Sequence, residues 1–422
     1  MTAAVHTPTS EPVRFWSRER KVGLAVTVAG VLAAFGFGAL AGDQPASFTL
    51  ADNTSGAAVS INGLLGAVLF GLLGAAAGAG LWLPGARRWF GALLAAGIVA
   101  VVGSFLCWQL SDSALNIMPL GQVAQGSMRF ALPLIFGGLA GVLGERSGVI
   151  NIAIEGQFIS GAFAAAMVAT LLASVWAGIL AAAVGGLVIA ALLAVLAIRY
   201  LVDQIVVGVV LIVFALGLTG FLFEQLMRQD PSRYNQPARV PTWEVGLLSD
   251  IPLLGPVLFR TNIFVYLALA LVAAVHFGLF HTRWGLRTRA VGEHPTAADT
   301  VGVRVLGMRY RNVLVGGVLA GIGGATFTLE ATTNFSKGMT AGLGFIALAA
   351  MIFGRWSPVG VLLAALFFGF CRALAIYLGT IGSPIPSQFL NMLPYLATIA
   401  AVAGLAGRVR APAADGKPYV KG

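Results

Sequence analysis

The chain has 422 residues, 58% of them apolar and only 10% charged, with a mean hydropathy of +0.89. A soluble domain carries about 25% charged residues, so this composition excludes a water-facing globule and predicts an all-α, polytopic membrane protein. Continuous apolar runs exclude an outer-membrane barrel, and the formal charge of +10 lies in loops and termini, as topology requires, and not on a nucleic-acid-binding surface.

A span needs about 20 mainly apolar residues. In chain order that rule gives candidates at 22–41, 59–82, 89–110, 130–144, 149–172, 175–198, 204–226, 262–280, 312–330, 340–354, 359–379 and 388–406. Segments 130–144 and 340–354 are short, which predicts half-helices or broken spans sheltered inside a bundle of about 10–12 transmembrane helices. Arg14, Arg18, Arg20 and Lys21 precede the first span and place an N-terminal tail, 1–21, in the cytoplasm. Alternation then puts Arg87, Arg88, Arg146, Arg199, loop 281–311, Arg355 and the C-terminal tail on the same side. Asp43, Asp52 and Asp112 fall on the other. Loop 227–261 breaks the charge rule, and its length and prolines predict an ordered external cap. Residues 1–13 and 411–422 read as disordered tails. Ala39-Leu40-Ala41 resembles a signal-peptidase site, but the long apolar run behind a hydrophilic segment predicts an uncleaved first span.

Fifty-five glycines, with four-residue spacing at Gly74/Gly78, Gly137/Gly141 and Gly317/Gly321, predict helices packed at close range. The strings at 137–144 and 316–324 are alike, as an internal repeat or two Gly/Ala-rich helices would each make them. Cys107 and Cys371 lie in apolar segments and read as buried reduced thiols.

Polar residues within the apolar runs are the candidate pathway or gate. Asn151, Glu155 and Gln157 open one span, and the four-residue spacing of the first two predicts a shared helix face. Arg146 is a candidate partner. A carboxylate at membrane depth costs on the order of 3 kcal/mol unless paired or solvated, so the group reads either as a substrate-path lining or as a buried pair that fixes loop geometry. Asp203 and Glu224 sit at span ends and suit solvated boundary roles. Glu330, followed by Thr332, Thr333 and Asn334, suits a hydroxylated ligand. Arg372, within span 359–379, needs a partner or a water-filled cavity.

Loop 281–311 carries six arginines and a short helix, with Pro295 setting its first turn and Glu293 at its positive end. Ala297, Ala298 and Val301 would form an apolar face at helical spacing, a handle for a cytoplasmic partner. No GxxxxGK[ST], HExxH or GxSxG motif occurs, so the chain reads as a transport subunit and not an enzyme, binding no cofactor or metal itself.

The stretches GERSGVINIAIEGQ (144–157), DQIVVGVVLIVFALGLTGFLF (203–223), TRWGLRTRAVGEHPTAADTVGV (282–303) and GLGFIALAAMIFGRWSPVGVLLAALFFGF (342–370) resemble permease subunits of bacterial ABC importers of the branched-chain amino acid/ribose type. The likeness is nearest to the nucleoside and simple-sugar branch. It implies an ABC importer permease core over 128–410, with external loop 227–261 and cytoplasmic coupling loop 281–311. Residues 22–127 then form an N-terminal extension with three spans, and 411–422 a cytoplasmic C-terminal tail. It also implies a coupling helix within Gly292–Gly302, with Glu293, Pro295, Ala297, Ala298 and Gly302 at the matching positions. His294 stands where the family usually has asparagine, and Asp203-Gln204 where relatives often have Asn-Glu, which weakens a specific polar task for that pair. The partners implied are an ABC ATPase that binds ATP and Mg, a second related permease in a heterodimer, and an extracytoplasmic substrate-binding (lipo)protein. The implied setting is the bacterial cytoplasmic (inner) membrane, with both termini cytoplasmic. The implied function is nucleoside uptake, with ribose-like sugars or branched-chain amino acids as alternatives. An ion-coupled secondary transporter using Glu155, Glu330 or Arg372 is the alternative of another class.

Overall fold

A computed structural model describes residues 17–53, 56–83, 85–113, 115–383, 385–386, 388–389, 392, 395 and 410–421. The span expected at 388–406 and the tail at 1–13 lie almost wholly outside these residues. Among them, ten helices are long and apolar enough to cross a membrane, with an eleventh, shorter apolar helix at Leu343–Phe353. The chain is therefore a multi-pass helical membrane protein, and its helices divide between two compact units.

The first unit covers 1–49, 57–118 and 380–386. It contains α1 (Arg18–Leu40), a hairpin of β1 (Pro45–Thr49) and β2 (Ala58–Asn62), α2 (Gly63–Gly80) and α3 (Phe90–Ser111). A third strand, β3 (Ile117–Pro119), completes a sheet of order β2-β1-β3. Ser17 and Asn62 cap α1 and α2 by accepting the Arg20 and Leu65 backbone N–H groups. A Cβ at Gly30 would collide with the Ala75 backbone, and one at Gly78 with Thr27, so glycine lets α1 and α2 touch main chain to main chain. Phe37 stacks on Trp108 at 5.3 Å, tying α1 to α3. β1 and β3 occupy loops too short and too polar to register as apolar runs, and β2 takes up the head of the run read as span 59–82, whose helix begins at Gly63.

The second unit covers 50–56, 119–379 and 387–422. Its helices are α4 (Leu120–Glu145), α5 (Ile154–Leu171), α6 (Val175–Ala194), α7 (Gln204–Leu222), α8 (Pro231–Tyr234), α9 (Ile263–His281), α10 (Arg283–Glu293), α11 (Pro295–Thr300), α12 (Val305–Thr326), α13 (Leu343–Phe353) and α14 (Pro358–Thr380). Wide π turns extend α6 through Val195–Arg199, α7 through Phe223–Met227 and α12 through Phe327–Ala331. Burial identifies the centre: 83% of the apolar window of α4 and 78% of that of α12 are buried, against 33% for α6 and α7. Helices α4 and α12 are thus the core, and α6 and α7 present most of their apolar surface outward. The expected short span at 130–144 is the second half of 26-residue α4. Gln125 and Arg129 shorten the apolar run, not the helix. Gly317 and Gly321 of α12 meet Gly186 and Ala182 of α6, where any Cβ would strike the facing carbonyls. The thiols of Cys107 and Cys371 are buried and free.

Loop 227–261 is ordered. It holds α8 and a short ladder between β4 (Thr242–Glu244) and β5 (Arg260–Asn262). Arg260 reaches Asp52, Glu244 and Asp250, and the Asn235 side chain exchanges two hydrogen bonds with the Phe335 backbone.

Candidate functional site

Loop 281–311 folds into two helices and the head of a third. Thr282 caps α10 by accepting the Gly285 N–H at 3.2 Å. Pro295 opens α11 at a position that has no use for an N–H. The helix ends when the Gly302 N–H reaches Asp299 O at 2.9 Å and the Val303 N–H reaches Ala298 O at 3.0 Å, with Gly302 at φ +82°. That double bond pattern closes a helix with a left-handed residue, which glycine adopts without strain. The expected apolar face divides in two. Ala298 turns inward and packs with Val291, Val305 and Tyr419, while Ala297 and Val301 are exposed, Val301 by 79%. Glu293 ends α10 and is exposed, and His294 makes no capping bond. Helix α12 begins at Val305 and not at 312, so Arg309 and Arg311 belong to it.

The C-terminal tail is docked against these helices and not disordered. The Ala414 N–H donates to Gly292 O at 2.8 Å, and the Ala413 N–H to Glu293 Oε2 at 3.2 Å. Arg309, 2% exposed, donates to Lys417 O at 2.9 Å. Asp415 enters beside Glu145, whose carboxylate also accepts the Trp356 indole N–H. Burial pushes the Asp415 carboxyl up to about 6. The apolar members of this seam, Ala414 and Tyr419, are too sparse to mark a docked segment in a polar tail.

Glu155 and Asn151 do not share a helix face. Asn151 precedes α5 outside any helix, fully buried, and exchanges two amide hydrogen bonds with Gln157 at 3.1 and 3.2 Å. Glu155 instead caps α13: its Oε1 accepts Thr340 Oγ1 at 2.6 Å and Gly342 N at 2.8 Å, and its Oε2 accepts Gly344 N at 2.7 Å. Three donors and the positive end of a helix account for a carboxylate that is 4% exposed. Arg146 serves the other end of the same helix. It donates to Trp356 O at 3.0 Å and Arg355 O at 3.3 Å, the carbonyls beyond the last turn of α13. Burial lowers the Arg146 pKa. A half-helix about 16 Å long is thus clamped at both ends by the one segment 146–155. The short apolar run at 340–354 signalled the half-helix, but nothing local signalled its clamp.

Asp203 and Gln204 both have specific tasks, against the expectation drawn from their departure from the family. Asp203 caps α7 by accepting the Ile205 and Val206 N–H groups, and Gln204 Oε1 accepts the Ile150 N–H at 2.8 Å. Glu224 pairs with Arg228 at 2.7 Å and with Lys337. Glu330 is buried at the end of α12, 3.9 Å from Arg129, and its backbone carbonyl accepts two bonds from Arg239. The neighbouring hydroxyls serve the backbone: Thr332 donates to Phe327 O and Asn334 O, and Thr333 to Thr332 O. Asn334 is exposed, and Arg372 lies on an exposed face of α14. The structure therefore uses Glu155 to brace α13, pairs Asn151 with Gln157, and leaves Glu330, Asn334 and Arg372 elsewhere.

The family described as the branched-chain amino acid transport system, permease component, matches residues 123–410. The nucleoside ABC transporter permease protein NupC of Lactococcus lactis subsp. cremoris is 39% identical over 317 residues, covering 73% of this chain and 99% of the relative. The guanosine ABC transporter permease protein NupQ of Bacillus subtilis is 39% identical over 312 residues, covering 72% and 98%. A second guanosine permease protein of that bacterium, NupP, is 27% identical over 284 residues, covering 63% and 77%. No solved structure matches the chain.

Proposed function

Because the chain belongs to the branched-chain amino acid transport system permease family, we propose that it is the membrane-spanning subunit of an ATP-driven importer of nucleosides. The substrate reading rests on the two relatives that share 39% of their residues with it over almost their full length. NupP resembles this chain less than NupQ does, which supports two unlike permease subunits, each supplying half of the pathway. A cytoplasmic ABC ATPase would bind ATP and Mg, and an extracytoplasmic binding protein would deliver substrate. Charge alternation supports cytoplasmic termini, and the bacterial relatives support a bacterial cytoplasmic membrane.

The observation that carries the coupling role is α11. It is six residues long, held from beneath by Ala298, and offers Ala297 and Val301 outward. Exposed apolar side chains on a short, capped helix suit a partner groove. ATP-driven closure of the ATPases would move this helix and switch the bundle between outward and inward access.

The test is nucleoside uptake in cells carrying Val301→Glu or Ala297→Glu. Both sites are exposed, so membrane abundance stays normal and ATP-driven uptake falls at least tenfold. Normal uptake in both variants removes α11 from coupling. Uptake that follows the proton gradient with ATP held constant identifies an ion-coupled transporter, and competition by ribose-like sugars or branched-chain amino acids reassigns the substrate.

A further inference from the structure

The second unit has an open cavity of about 630 Å³ where the ends of α6 and α12 meet the C-terminal tail. Arg199 and Lys421 line it with Tyr310, and Leu201 and Leu306 form apolar parts of its wall. Neither cation joins an ion pair among the described residues. Arg199 ends the α6 span and Leu306 lies in the first turn of α12, so the cavity stands at the level where an apolar wall gives way to water. Side chains at such an interface meet lipid headgroups.

The outer face of α6 leads straight to it. Leu180, Val184, Val188, Leu192 and Val195 are all exposed, and their three- and four-residue spacing puts them in one stripe ending at Arg199. The stripe is about 22 Å long at the helical rise, more than one leaflet of a ~30 Å hydrocarbon core. A soluble anion would satisfy the two cations but leave the apolar wall formed by Leu201 and Leu306 uncovered. A neutral lipid would cover the stripe but leave the cations without a counter-charge. We propose that this cavity binds the phosphate headgroup of an anionic phospholipid, with an acyl chain lying along the α6 stripe.

The site ties lipid to the coupling face. Lys421 and Val420 belong to the tail whose Tyr419 packs on Ala298 of α11, so a bound headgroup holds the tail in its docked position.

The experiment is native mass spectrometry of the full-length chain released from nanodiscs of phosphatidylglycerol mixed with phosphatidylcholine. The expected result is a retained phosphatidylglycerol adduct on the wild-type chain. R199A/K421A loses about thirtyfold in that preference, the combined effect of two basic side chains at a membrane surface. R199K/K421R, which keeps both charges, retains the adduct, and Leu306→Ser weakens it with the cations intact. Equal retention of phosphatidylcholine by the wild type overturns the headgroup assignment. Displacement of the adduct by millimolar inorganic phosphate shows a free-anion site and overturns the lipid one. An unchanged preference in R199A/K421A overturns the site altogether.

Discussion

Replacing Glu155 by glutamine removes the charge from the α13 clamp while preserving shape. The carboxylate accepts three bonds from three donors, the Thr340 hydroxyl and the Gly342 and Gly344 N–H groups. A glutamine in its better orientation keeps the two bonds made by Oε1 and turns its NH₂ toward the Gly344 N–H, donor against donor. One charge-assisted bond is lost, at roughly 1.5–3 kcal/mol, together with roughly 0.3–2 kcal/mol of favourable placement at a helix N-terminus. The total is roughly 2–5 kcal/mol, or about one to four orders of magnitude in the local opening equilibrium. Thr340→Val removes one charge-assisted bond, at roughly 1.5–3 kcal/mol, but spares the two backbone bonds and the charge at the helix end, so it costs less than E155Q. Hydrogen exchange of the 340–348 peptide in nanodiscs reads both variants directly. Protection should fall most in E155Q, less in T340V, and little in peptides from α6 or α9. Wild-type protection at 340–348 in E155Q, or equal losses in the two variants, would refute the capping argument.

Gly321→Ala forces α6 and α12 apart and should cost roughly 1–3 kcal/mol by overpacking. Gly217→Ala, where a Cβ meets nothing within 4 Å, serves as its neutral control in a thermal unfolding assay. Asn151→Ala strands the buried Gln157 amide and should cost roughly 1–3 kcal/mol, whereas Asn151→Leu with Gln157→Leu should cost less than the sum of the singles by the same assay. Burial raises the docked Asp415 carboxyl to about 6 from an ordinary 3.8, with Glu145 and Arg309 facing it. The docked tail therefore keeps its proton to higher pH than the free tail. Docking is fully favoured below about 4 and weakens as pH rises through about 6, by on the order of 3 kcal/mol. Exchange protection at 412–419, corrected for intrinsic rate, should be greater at pH 5 than at pH 7.5, and Asp415→Asn should abolish the difference.

Much of the helical architecture is legible because a bilayer sets one length scale and one polarity. Eleven of the twelve apolar runs coincide with helices, and Pro295 and Gly302 mark the ends of α11 by backbone chemistry alone. The misreadings share one cause. Hydropathy follows composition along the chain, whereas Arg129 within α4 and Arg309 within α12 sit in helices whose polar positions are satisfied by distant segments. The partners of Glu155 lie some 185 residues away in sequence, and helical spacing has no access to them. Asn151 and Glu155 read as a pair because the apolar run begins at 149, whereas the helix starts at Ile154. Ala298 read as part of the exposed face because its cover, Tyr419, lies in a tail that looks disordered by composition.

The clamp on α13 has a mechanical consequence. The turn at Arg146 that grips the far end of α13 also lies under the end of α10, so close that a Cβ on Gly292 would strike the Arg146 carbonyl. With no room for a side chain between these backbones there is little compliance, and a load on α11 is not absorbed at this junction. On the proposed coupling role, it would pass into segment 146–155 and reach both ends of α13 together, driving that half-helix as a rigid rod instead of bending it.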